Sequence, residues 1–215
     1  MRVPYVDMVK DEFSFLVSDF FFSVIKAEED PVRYLYHGVV VFESSRAIVS
    51  MTVEKGTPHS PYITRAVDKA GDRWRRDHGI HLEWIVEYKT TSPAERLILL
   101  SASPDDERGA LEIEDRRYRA QARPLRVGGA ESMDERVRQV LADESRLLRR
   151  YCREILVGDF REWLELHEYN MRRSLVRQLR IMWRSGKSTS LEEIEADSAE
   201  SLEYLTALRM EYQRG

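Results

Sequence analysis

Arg173, Arg177, Arg180 and Arg184 stand at i, i+4, i+7 and i+11, a spacing that lines one face of a helix with guanidinium groups. Six basic residues and no acidic one lie between Arg172 and Lys187; six acidic residues and no basic one lie between Thr189 and Glu203. This switch in charge has two outcomes. Glu192, Glu193 and Glu195 fold back onto the stripe, or the stripe docks an acidic protein or a nucleic-acid backbone. Exposed ion pairs contribute only about 0.2–1 kcal/mol each, so internal pairing would orient a helix rather than hold the fold. Asp105, Asp106 and Glu107 form an acidic turn that could face a basic partner.

The other chemistry-bearing residues make weaker patterns. His78-Gly79-Ile80-His81, with His59 and Asp77, is the most metal-like string, but two histidines fall short of the three or four ligands a zinc site needs. Asp77 with Glu87-Tyr88-Lys89 loosely resembles the Asp and Glu-x-Lys arrangement with which restriction-type nucleases hold a divalent metal on neighbouring strands. The acids at Glu112, Glu114 and Asp115 lack the spacing of a calcium loop and read as solvated surface. Cys152 lies on an apolar helix stripe beside Leu148 and Ile155, where a thiol serves as a small hydrophobe. His167, between Leu164 and Met171, reads as a core histidine. There is no phosphate-cradling glycine loop, nucleophile elbow or metalloprotease helix. The residues assemble no active site and imply no cofactor or metal.

Composition narrows the class. The chain has 215 residues, 33% charged and 42% hydrophobic, with a formal net charge of -4. That length fits one large domain or two small ones and buries a real core. The net charge argues against a dedicated nucleic-acid binder, whose domain is usually basic. A lone cysteine excludes an intramolecular disulfide and suits a reducing cytoplasm. No stretch is apolar and long enough to span a bilayer, so no membrane role is expected.

The elements that must carry these residues are read from periodicity. Phe13, Leu16, Val17, Phe20 and Val24 predict an aromatic helix over Val9–Val24, pressed onto a sheet. Tyr34–Glu43 and Ala47–Glu54 predict a hairpin linked by Ser44-Ser45-Arg46, with Val49, Met51 and Val53 on one face. Pro61–Val67 reads as a short strand or a helix start. His81–Lys89 alternates and predicts a strand with Leu82, Trp84, Val86 and Tyr88 on one face; Arg96–Ala102 predicts another. Ala110–Val127 is ambiguous, and Val127-Gly128-Gly129 reads as a hinge between halves 1–127 and 130–215, unless the two form one continuous domain. Beyond it, three helices are expected. Capping boxes are spaced at Ser132/Glu135, Asp159/Glu162 and Ser190/Glu193. The first helix buries Val137, Val140, Leu141, Leu148, Tyr151 and Ile155 and ends on Gly158; the second buries Phe160, Trp163, Leu164, Met171, Leu175, Leu179 and Met182; the third runs from Leu191 to Tyr212. The expected fold class is α+β: an N-terminal helix packed on a mainly antiparallel sheet, followed by a three-helix C-terminal half.

Two stretches carry a family resemblance. One is Glu12–Glu54, with Phe13-x-Phe15-Leu16, Phe20-Phe21 and Val39-Val40-Val41-Phe42-Glu43-Ser44; the other is Tyr151-Cys152-Arg153-Glu154-Ile155-Leu156-Val157-Gly158-Asp159-Phe160-Arg161-Glu162-Trp163. Both are similar to small bacterial α+β proteins, some of which resemble immunity proteins encoded beside polymorphic toxins. The resemblance implies a non-enzymatic protein that binds another protein and covers its active site or assembly surface. The charge patterns leave two further readings: an accessory subunit of a defence or mobile-element system touching nucleic acid through the arginine stripe, and a metal-dependent nuclease. A homodimer is a further arrangement, with basic and acidic helices exchanged between protomers.

Overall fold

The β-branched runs around Val40 and Val49 form the centre of an antiparallel sheet. The computed structural model describes residues 4–29, 37–54, 57–68, 79–94, 96, 133–185 and 199–214. These belong to two units, Met1–Glu87 with Gly129–Phe160, and Tyr88–Gly128 with Arg161–Gly215. The first helical stretch after the expected hinge therefore groups with the sheet.

In the first unit the strands are β1 (Ser23–Glu29), β2 (Gly38–Glu43), β3 (Ala47–Glu54), β4 (Thr57–Pro58), β5 (Tyr62–Arg65) and β6 (Gly79–His81), in the order β1-β2-β3-β5-β6 with β4 on β3. Every pairing is antiparallel, and Val40 opposes Met51 while Phe42 opposes Val49. Val40, Phe42, Val49, Met51, Val53, Ile63 and Ile80 share the face that is buried along its length. The hairpin is the one the alternation predicts. Its link is fixed by Ser44, whose hydroxyl accepts from the Ala47 amide at 3.0 Å and donates to the Ala47 carbonyl at 3.1 Å.

Helix α1 (Tyr5–Glu12) packs on β1 and β2 and buries Tyr5, Met8 and Val9. It does not continue to Val24. Phe13 leaves helical geometry at φ -106°, ψ 17°, and α2 (Ser14–Ser18) is a single turn more. The chain then reverses through Phe21 and enters β1, so Val24 lies on a strand. Helix α4 (Met133–Tyr151) lies against α1, where the Ser145 hydroxyl donates to the Glu12 carbonyl at 2.9 Å and the Arg149 guanidinium sits 4.0 Å from the Phe15 ring centroid. It buries Val137, Leu141 and Leu148 as expected, while Val140 is exposed and Tyr151 half-buried. Short α5 (Arg153–Leu156) follows.

The alternation over His81–Lys89 does not yield a strand. Leu82–Thr90 is helix α3, because Leu82, Ile85 and Tyr88 fall three apart and are the buried residues. Ile85 breaks the alternation, and the apolar residues beside it fit both periods. Tertiary partners start this helix: the Leu82 amide donates to the Pro61 carbonyl at 2.7 Å and the Glu83 amide to the Ser60 hydroxyl at 3.1 Å. Pro61–Val67 does yield strand β5, followed by a single 3-10 turn.

The second unit contains the end of α3, α6 (Trp163–Arg184) and α7 (Ala199–Arg214). Tyr88 and Tyr169 meet edge to face at 5.3 Å, and Thr91 Oγ1 lies 3.2 Å from the Tyr169 hydroxyl. Lys89 pairs with Glu162, and Arg209 donates to Glu168 at 2.7 Å. Helix α6 starts at Trp163 rather than after an Asp159 cap, because the Asp159 amide donates back to the Glu154 carbonyl at 2.8 Å. Its buried side also differs from the expected one. Trp163, Leu175 and Leu179 are buried, but Phe160, Leu164, Met171 and Met182 are half-buried; Leu166, Tyr169 and Val176 complete the apolar packing. Of the strand expected over Arg96–Ala102 only Arg96 is described, and it is helical; residues 97–102, the ambiguous stretch Ala110–Val127, the hinge glycines and the start of the third helix lie outside the described residues.

Glu144 of α4 faces Ser60 and Glu83. Burial, then the neighbouring Glu83 and Asp143 carboxylates, push its carboxyl up to about 7, against a lowering hydrogen bond from Ser60. A carboxyl raised in the fold favours folding fully below its unfolded value and loses that contribution as pH rises through about 7. Glu144→Gln is therefore expected to raise the melting temperature at pH 8, by about 2 °C after discounting for partial exposure, and to change it little at pH 4. Thermal melts at the two pH values check this; an equal shift at both would contradict it.

Candidate functional site

The arginine stripe lies on α6, but its members differ in exposure. Arg173 and Arg180 are 6% and 7% exposed, and both interact with other groups of the protein. Arg177 is exposed, and the side chain of Arg184 lies outside the described residues, as do Asp105, Asp106 and Glu107. A buried guanidinium keeps its charge and is stable only where other groups replace its water. Arg173 and Arg180 are accordingly part of the packing of α6.

The remaining candidates are also separated. Glu87 and Lys89 lie on a helix, where residues two apart point in divergent directions, so the strand geometry that the nuclease reading requires is not present there. Asp77 and His78 lie outside the described residues. His81 is exposed, with its ring against Tyr62 and Nδ1 3.3 Å from the Ser60 carbonyl, and His59 lies 3.9 Å from the Glu54 carboxylate. A shallow concavity of about 510 Å³ over β1, β2 and β3 collects Glu28, Glu29, Glu54, His37 and His59. Among the described residues no three metal-ligating side chains are grouped to hold an ion. Cys152 is fully buried. His167 is nearly so, edge-on to Trp163 at 4.9 Å and to Tyr204 at 5.0 Å.

A different constellation in the first unit forms a groove. A groove of about 380 Å³ is lined by Asp19, Phe20, Phe21, Ser44, Ser45, Arg46, Leu156 and Val157. Three elements meet there: the reversal from α2 into β1, the β2–β3 link and the end of α5. Phe21 is 84% exposed and adopts φ +59°, the left-handed region normally taken by glycine or asparagine at a helix end. The reversal it makes lets the Phe22 amide donate to the Leu16 carbonyl at 2.9 Å. Three aromatics in succession cannot share one side of a turn. Phe22 is buried, Phe20 is held edge-on to Phe15 at 6.1 Å, and Phe21 is left in water.

The opposite wall depends on Gly158. At φ +88° it closes α5 with the Gly158 amide on Ile155 and the Asp159 amide on Glu154, the two bonds of a glycine helix stop. A side chain there would collide with Arg46, since its Cβ would overlap Arg46 Cδ. Arg46 passes over the glycine, and its guanidinium donates to the Val157 carbonyl. This leaves Val157 46% exposed beside a fixed cation. The groove therefore has apolar walls, one guanidinium, two hydroxyls and one carboxylate. Such a lining can bind a side chain and order a polar rim, but it supplies no nucleophile with a base.

Local sequence patterns do not reveal this groove. Its one legible signal is the run Phe20-Phe21-Phe22, of which Phe20 falls on the apolar stripe of the predicted helix. Comparison with known protein families, curated proteins and solved structures yields no match for the chain.

Phe21→Gly is expected to leave the fold as stable or to stabilise it by up to about 1 kcal/mol, since it relieves a left-handed strain and removes a side chain that packs little. Urea denaturation checks this; a loss of stability would show that Phe21 supports the core instead.

Proposed function

We propose that this chain is a protein-binding protein of the immunity type, without chemistry of its own, which neutralises or accompanies a partner protein in the cytoplasm. The observation that carries the reading is Phe21, an aromatic ring held in water by a backbone conformation that disfavours it. Exposed aromatics in a preformed groove are the usual anchors of protein interfaces, where a few residues supply most of the affinity. The groove's other properties agree. Phe20 and Val157 extend the apolar surface over the buried Leu156, and Asp19, Ser44, Ser45 and Arg46 supply a polar rim. Arg46 is already tied to Val157, so little side-chain freedom is lost when a partner seats on it. The reducing setting suits a single buried thiol, and among the described residues no helix is long and apolar enough to cross a membrane.

Affinity capture from cells that carry the chain, followed by calorimetric titration of the purified partner, tests this reading. Phe21→Asp and Val157→Asp are each expected to weaken binding about 30-fold or more, corresponding to the roughly 2 kcal/mol of an interface anchor. Arg177→Glu is expected to change it less than about threefold, the effect of a charge outside the contact. A partner indifferent to both groove variants and lost with Arg177→Glu would move the interface to α6.

A further inference from the structure

Strand β1 is an edge strand of the sheet, and among the described residues nothing pairs with its outer edge. Ser23 to Glu28 are all exposed, so side chains on both faces of the strand reach water. An open edge offers a row of backbone donors and acceptors to any other strand, and proteins normally blunt it. Two such devices are visible. The register slips at Ile25, with Val24 opposite Phe42 and Lys26 opposite Val41, which marks a bulge. Beyond it, Lys26 to Glu29 pair regularly with Val41 to Gly38 and carry charge at three of four positions.

That charge pattern selects one partner. Lys26 and Glu28 share a face, with Nζ 3.1 Å from the carboxylate and both side chains largely in solvent. In an antiparallel pairing of β1 with another β1 about a two-fold axis through Ala27, Lys26 of each copy opposes Glu28 of the other. Pairings centred on Lys26 or on Glu28 set like charges directly opposite, as does a parallel in-register pairing, and these are disfavoured. Ala27 at the axis is small enough for the two strands to approach. The residues that repel a foreign edge are thus self-complementary.

We infer that two copies of the chain pair through β1, antiparallel about Ala27, and join their sheets into one. The contact is isologous, so it closes at the dimer and consumes both copies of the edge. The inference does not rest on the partner-binding groove and stands or falls separately from it.

Analytical ultracentrifugation of the full chain tests it, with Lys26→Glu, Glu28→Lys and the double exchange. Both positions are exposed, and circular dichroism confirms that the variants fold. A concentration-dependent dimer is expected for the natural chain. Each single variant should raise its dissociation constant about tenfold or more, and the double exchange should restore it to within about threefold, because direct opposition of like charges is replaced again by opposite ones. A chain that stays monomeric up to about 100 µM, well above the micromolar constant of a weak dimer, overturns the proposal, as does a dimer insensitive to the single variants. So does failure of the double exchange to restore dimerisation, since pairing about Ala27 sets position 26 of each copy against position 28 of the other.

Discussion

The groove exists because one position has no side chain. Gly158 is required twice: its φ of +88° is the conformation that stops α5, and its missing Cβ is the space through which Arg46 passes. From there the guanidinium reaches the Val157 carbonyl, a helix-end acceptor that has no further turn to bond it. This one contact ties the hairpin link at Ser44–Arg46 to a helical stretch more than a hundred residues further along the chain.

The facing wall follows the opposite logic. Where Gly158 takes a left-handed conformation that suits glycine, Phe21 takes one that does not. Left-handed geometry costs an L-residue of order 1–2 kcal/mol, and the ring gains no burial in return. This strain at an exposed aromatic is the observation on which the proposed binding role of the groove rests. The core below is insensitive to it, because Phe13, Phe15, Leu16 and Phe22 are buried around the same reversal.

The α+β class, the central hairpin, the glycine stop at Gly158 and the buried Cys152 are legible in the sequence because local signals and tertiary packing agree there. The alternation of Val49, Met51 and Val53 survives folding because one face of β3 is fully covered. Three elements are not legible, each for a physical reason. His81–Lys89 alternates at every position but Ile85, and the choice of helix is made by Leu82, Ile85 and Tyr88 packing inward and by caps from Ser60 and Pro61, some twenty residues away. The aromatic periodicity overruns the real helix because a phenylalanine in left-handed geometry has no sequence signature. The arginine stripe leaves internal pairing and docking both open because its spacing fixes the helix face but not what covers it; Arg173 and Arg180 turn inward with His167 and Asn170 on a helix whose buried side is unusually polar. The groove itself joins residues 19–21, 44–46 and 156–157, a juxtaposition that no local pattern encodes.

A partner protein seated on this groove must shield the backbone that forms its walls. Amide hydrogen exchange on the purified complex, compared with the free chain, addresses that most directly. Seating in the groove predicts slowed exchange confined to three stretches: residues 19–24, 44–47 and 156–159. Unchanged exchange in those stretches, with protection gathered instead around Arg177 on α6, would contradict it.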